Sequence, residues 1–264
     1  DAGLVPRLVA ALFVAIKVDV RHVYKVKASF AQIYNEQIDD LLRPKNTNLR
    51  VKPRGASHEV DGLAALECKS PSDLLAFFDQ GRRQLVYAET KMNKHSSRSH
   101  AVLQLMVSRR ERVMDGASAH GGSMIATQTS GKLTVVDLAG SERVKRSGAD
   151  EDISGRRMKE AININTSLLG LSNVMKALST QSPHIPYRDS KLTHMLSDAL
   201  GGNCKTSLVV CASPASADVS ETTGTLEFGA RAMKVRTNAI VNSNEVTLDA
   251  AALAADLTEV LQLQ

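Results

Sequence analysis

Two short stretches concentrate residues able to handle phosphate. Asn93-Lys94-His95-Ser96-Ser97-Arg98-Ser99-His100 sets two small hydroxyls, Ser96 and Ser97, beside a fixed cation, Arg98. Such hydroxyls contact phosphate oxygens and complete a Mg²⁺ shell, and a guanidinium can bridge to a carboxylate. Farther on, Gly131–Glu142 reads G-K-L-T-V-V-D-L-A-G-S-E. Leu133–Val136 is dense in β-branched residues and predicts a short buried strand. Asp137 ends it, where a carboxylate can hold Mg²⁺ or its waters, and Gly140 lets a backbone N–H approach a phosphate closely. Asp-x-x-Gly after a buried strand is the pattern of a loop that senses a γ-phosphate. Either stretch alone reads as a turn beside a strand. Their co-occurrence makes a phosphate-and-metal site the better reading.

The elements that must position these residues are readable in outline. Of the 264 residues, 43% are hydrophobic but only 3% aromatic, with no Trp, so the core rests on aliphatic side chains and Met. Leu8–Ile16 suits a helix with a broad buried face and is too short to span a membrane. Val23–Tyr34 alternates apolar and polar residues and predicts a strand. Gln37–Leu42 reads as one helical turn or a tight loop, and Arg43–Arg54 as an exposed basic hairpin or loop. Ser70-Pro71-Ser72-Asp73 starts a helix, with Ser70 as N-cap, reaching about Arg83. Ala101–Val107 predicts a strand. Arg109–Ser130, rich in Gly, Ser and Ala, predicts a loop. Lys159–Thr180 is the clearest helix, with Ala161, Ile164, Leu168, Leu171, Met175 and Leu178 on one face. Asp189 or Ser190 caps a further helix that Gly201-Gly202 stops. Thr206–Ala212 predicts a buried strand and Glu221–Arg236 a last helix.

The paired motifs resemble switch I and switch II of the kinesin motor domain: N-x-x-S-S-R-S-H, then D-L-A-G-S-E. Further likenesses are Gly3–Arg7 (the family's G-I-I-P-R), Ile33–Leu42 (I-Y-N-E-x-I-x-D-L-L) and Asn163–Leu178 (I-N-x-S-L-x-x-L-x-N-V-x-x-A-L). Ile185–Thr193 (I-P-Y-R-D-S-K-L-T), Leu200–Asn203 (L-G-G-N) and Thr225–Ala232 (T-L-x-F-x-x-R-A) complete the set. The resemblance covers about residues 3–243. It implies an α/β fold, mostly the C-terminal two-thirds of a P-loop NTPase motor with a central mixed β-sheet flanked by helices. It implies ATP with Mg²⁺, hydrolysis activated by microtubules, and movement along them. Ser97 and Asp137 would hold the metal and its waters, and Asn93 and Ser96 would order the first switch. Gly140 would sense the γ-phosphate, and Arg98 would pair with Glu142 to close the site and position water. The microtubule contacts would be Arg50, Lys52, Arg54, Arg146, Arg157, Arg188 and Lys191. His194 stands where kinesins often place Arg. The segment holding Asp150-Glu151-Asp152 runs longer than the family's usual one.

The phosphate cradle G-x-x-x-x-G-K-[ST] is absent. Gly131-Lys132-Leu133 and Gly201–Thr206 are chance likenesses. Kinesins carry the cradle upstream of the match found here at Gly3, so residues 1–237 read as an N-terminally incomplete motor domain, inactive alone. The alternative is a degenerate, nucleotide-free microtubule-binding protein. Residues 238–264 read as a neck linker and the start of a coiled-coil neck, from the heptad Val246, Ala250, Leu253, Leu257, Val260, and imply a homodimer. The expected location is the cytoplasm, on the cytoskeleton. A net charge of +5 suits an acidic track. Nucleic acid is not expected as a partner, because no aromatic stacking motif accompanies the charge. Cys68, Cys204 and Cys211 are too scattered for a disulfide frame, and the histidines lack metal-ligand spacing.

Overall fold

Long β-branched and alternating runs dominate the middle of the chain, and they assemble into one sheet between two helical layers. A computed structural model of the protein describes residues 2–54, 57–91, 99–112, 124–140 and 156–248. In chain order the elements are α1 (Leu4–Val18), β1 (His22–Tyr34), β2 (Gln37–Asp40), β3 (Arg50–Arg54), β4 (Ser57–Asp61) and β5 (Leu66–Cys68). There follow α2 (Pro71–Lys91), β6 (His100–Glu111), β7 (Met124–Asp137), α3 (Arg156–Ser179), α4 (Lys191–Met195), α5 (Val219–Ala232) and β8 (Asn242–Leu248).

The main sheet runs β2-β1-β6-β7-β8, with β5 beside β2 on the outer side of β1, and β3-β4 forms a separate hairpin. The architecture is the expected α/β one, a central sheet flanked by helices. All described pairings are antiparallel, so the parallel part of a mixed sheet is not among them. The period of two in β1 sorts its side chains cleanly. Val26, Ala28 and Phe30 pack under α1 and α2 with Leu103 and Leu105 of β6. Ala31 and Ile33 point the other way, to Val102, to Leu171, Val174 and Met175 of α3, and to Leu192 and Met195 of α4.

Several local expectations change. Gln37–Leu42 is neither a helical turn nor a loop at its start: β2 pairs back on β1 through a two-residue turn. Asn35 and Glu36 both have positive φ, 52° and 58°, the geometry of a type I′ hairpin, which usually draws Gly or Asn. Glu36 tolerates it because its carboxylate is anchored: Oε2 accepts the Lys191 N–H at 2.7 Å, at the start of α4. The helix begun at Pro71 reaches Lys91, well beyond Arg83. Its start is as read: Ser70 Oγ accepts the Asp73 N–H and Asp73 accepts the Ser70 N–H, a reciprocal cap. The segment read as a loop, Arg109–Ser130, contributes the end of β6 and the first half of β7, because backbone pairing outweighs weak strand propensity there.

Two strands expected to be buried are not. Residues 206–212 form no strand among the described residues, and Val209 is 85% exposed. Leu133 in β7 is 43% exposed. A buried strand needs hydrogen-bonded neighbours on both sides. β8 covers only Met124–Ser130 of β7, leaving Gly131–Asp137 paired on one side alone among the described residues. Val246, the first residue of the heptad pattern, stands in β8, and the rest of that pattern lies outside the described residues.

Candidate functional site

The two phosphate-directed motifs are brought together by strand register. β6 begins at His100 and β7 ends at Asp137, and antiparallel pairing sets Ala101 opposite Asp137. The octet Asn93–His100 therefore ends beside the point where D-L-A-G-S-E begins. Asp137 is exposed at the end of its strand, and Gly140 follows, half-buried, three residues on. Asn93, Ser96, Ser97, Arg98, Glu142 and Arg146 lie outside the described residues. Arg157 lies in the first turn of α3, where the backbone alone is described.

One side chain ties this junction to the helix behind it. His100 is 2% exposed. Its Nδ1 accepts the backbone N–H of Ala139 at 2.9 Å. With Nδ1 an acceptor, the ring proton belongs on Nε2, which donates to Ser167 Oγ of α3 at 2.7 Å. Burial lowers the His100 pKa to about 4, so the ring is neutral and its tautomer is set by its two partners. His100, the last residue of the first motif, thus links both motifs to α3. Ala139 and Ser167 each fall at a fixed letter of the quoted motifs, D-L-A-G-S-E and I-N-x-S-L, but the motifs alone assign neither a role. Their contacts to His100 span 67 and 39 residues of chain, which no local pattern announces.

The basic residues form a second region. β3 and β4 pack against α4 through His58 and His194, whose rings meet edge-to-face at 4.8 Å. Ser197, just past α4, bonds His58 Nδ1 through its hydroxyl at 2.9 Å. This docking sets β3, with Arg50, Lys52 and Arg54 exposed, beside α4, with Arg188 exposed just before it and Lys191 half-buried at its first position. Two hairpin cations already have partners on β4: Lys52 Nζ lies 2.7 Å from Asp61, and Arg54 2.6 Å from Glu59. Both pairs are exposed and so weak that another carboxylate can displace them. Burial, then His58, Arg188 and Lys191, lower the His194 pKa, so this position carries no charge at neutral pH. Ser190 caps α4 by accepting the Thr193 N–H at 3.1 Å. α3 passes close by: a Cβ on Gly170 would meet Ser190 Oγ at 3.3 Å.

Comparison with known proteins gives this arrangement its class. The family model for the kinesin motor domain matches residues 1–235. The kinesin-like protein Klp68D of Drosophila melanogaster is 37% identical over 246 residues, covering 92% of this chain and 29% of the relative. Human kinesin-1 heavy chain is 39% identical over 242 residues, covering 91% of this chain and 24% of the relative. Among solved structures, a fast kinesin superposes with a TM-score of 0.78 at 37% identity, covering 92% of this chain and 65% of that one. A KIF14 dimer, solved with AMP-PNP in complex with a microtubule, superposes with a TM-score of 0.76 at 35% identity, covering 90% and 66%. The fold is that of the kinesin motor domain. The chain belongs to the kinesin motor domain family, and it spans 24–29% of the length of these full-length relatives.

Proposed function

We propose that the protein containing this chain hydrolyses ATP and uses the cycle to move along microtubules. The observation that carries the reading is the junction of β6, the Asp137–Gly140 loop and α3 around His100. It ties the Asp137–Gly140 loop, read as the phosphate sensor, to a long helix through two hydrogen bonds.

The donor set fits Mg²⁺. Asp137 offers carboxylate oxygen and Ser97 a hydroxyl, hard ligands of the kind that ion takes alongside phosphate and water. When bound, Mg²⁺ neutralises charge on the phosphates. Asn93 and Ser96 order the first loop around the nucleotide. Gly140 presents its N–H to the γ-phosphate at close range, with no Cβ in the way. Arg98 and Glu142 pair to shut the site and orient the attacking water, which is how this class lowers its barrier: by position and electrostatics. Loss of the γ-phosphate frees the Asp137–Gly140 loop, and α3 responds.

The track is an acidic polymer, met by the face where the β3-β4 hairpin docks on α4. Arg50, Lys52, Arg54, Arg188 and Lys191 lie on it, with Arg146 and Arg157 as further contacts. Residues 238–264 serve as neck linker and the beginning of a dimerising neck, and the protein works on the cytoskeleton in the cytoplasm. Neither nucleic acid nor membrane insertion belongs to this reading; among the described residues no helix is long and apolar enough to cross a membrane. Co-sedimentation of the full-length protein with microtubules tests it. Binding that weakens markedly with ADP relative to a non-hydrolysable ATP analogue is expected, and binding indifferent to nucleotide would favour the nucleotide-free alternative.

A further inference from the structure

A buried neutral histidine has one donor and one acceptor nitrogen to satisfy, and the partners it finds fix its tautomer. His100 has two partners, on two different elements, and each uses a different ring nitrogen. Ala139 sits between the Asp137 carboxylate and the Gly140 amide, so fixing its N–H fixes where that loop leaves β7. Ser167 lies at the middle of α3 and is 3% exposed, with Ala139 at 5%. Turning the ring end over end would break both bonds inside a dry site, where an unpaired donor or acceptor is costly.

We infer that His100 is a positioning residue that passes the state of the Asp137–Gly140 loop to α3 through a two-bond bridge, Ala139 N–H to Nδ1 and Nε2–H to Ser167 Oγ. This rests on the motor reading and adds to it the side chain that carries the coupling. The loop and the helix are rigidly spaced while both bonds hold. When the loop shifts, the ring must follow or one bond must break, and either event is felt at Ser167. His100 is buried, with its ring nitrogens bonded to the loop and to α3, so its effect falls on coupling and not on the bond-breaking step.

Two substitutions divide the bridge. In His100→Asn the side-chain oxygen stands where Nδ1 stood, keeping the acceptor for Ala139 and losing the donor to Ser167. In His100→Gln the amide nitrogen stands where Nε2 stood, keeping the donor and losing the acceptor. Ser167→Ala removes the helix end without touching the ring. All three are made in the full-length protein. Amide hydrogen exchange at Ala139 and the ratio of microtubule Kd values, ADP over non-hydrolysable ATP analogue, are measured.

Ala139 is expected to exchange at least about tenfold faster in H100Q, and at the wild-type rate in H100N and S167A. The Kd ratio is expected to fall about tenfold toward one in H100N, H100Q and S167A alike, with KM for ATP changed by less than about threefold in S167A. A purely structural histidine would not separate Ala139 protection from the Kd ratio in this way. A wild-type ratio above about ten that survives intact in S167A and H100N would sink this inference alone. A wild-type ratio of one would sink the motor reading and this inference together.

Discussion

Acid should weaken the protein through His100 in a narrow pH window. Its ordinary pKa of 6.5 falls to about 4 in the folded protein, because burial disfavours the imidazolium. The folded value lies below the unfolded one, so the unfolded chain binds the proton first. The stability conferred by the neutral ring is complete above about pH 6.5 and is lost as pH falls toward 4. The full difference corresponds to about 3 kcal/mol, and by pH 4.5 roughly 2.5 kcal/mol of it should be gone. The assay is urea unfolding of wild type and His100→Asn from pH 7.5 to 4.5. His194, also lowered, and every carboxylate are common to both proteins, so their contributions cancel in the difference. The Asn variant should start less stable, having lost the bond to Ser167, and the gap should close on acidification. Parallel curves for the two proteins across the window would refute the reasoning, since a ring that titrates normally gains nothing from being replaced.

Other perturbations follow from the packing and the charges. Asp40, 2% exposed, accepts the N–H groups of Leu42, Arg43 and Ala64 at 2.8–2.9 Å; Asp40→Ala should cost about 3 kcal/mol in urea unfolding, and a loss below about 1 would contradict that role. A Cβ on Gly81 in α2 would lie 2.1 Å from Phe30 Cδ1, in a core where Phe30 stacks on Phe78. Gly81→Ala should therefore lower thermal stability by a net about 1–2 kcal/mol, although Ala gains about 1 in helix propensity. Glu59 and Asp61 pair with Arg54 and Lys52, so on the proposed track face they would compete with the track's carboxylates. Glu59→Gln with Asp61→Asn should tighten microtubule binding about two- to fivefold at low salt, and Arg54→Glu should loosen it, both effects fading as salt rises.

The sequence proposes a site where chemistry and spacing coincide, and is silent where a contact is made by residues distant in the chain. Ser96-Ser97-Arg98 and Asp137-x-x-Gly140 each combine a polar function with a fixed offset, so the pair could be read as a phosphate loop set before any fold was in view. The register placing Ala101 opposite Asp137 follows from two strands that sequence reading placed but cut short, since Arg109–Ser130 lacks the β-branched density that marks a strand. The β1-β2 turn escaped because Asn35-Glu36 is an uncommon choice for two positive-φ positions. Its stabilising partner, Lys191, lies 155 residues away. Residues 206–212 show the opposite failure. Their composition says strand, but propensity realises nothing without a neighbour to bond. Ser167 and Ala139 sit in recognisable motifs, yet nothing in those motifs pairs them; only the fold sets them either side of His100.

Steady-state ATP turnover by the full-length protein, with and without microtubules, bears most directly on the proposed role. Turnover that rises at least about tenfold with microtubules, within the usual enzymatic range of about 1–10³ s⁻¹, and that Asp137→Asn abolishes, is expected. No turnover in a protein that still pellets with microtubules would contradict it, leaving a track-binding protein that has kept its switches without a nucleotide to read.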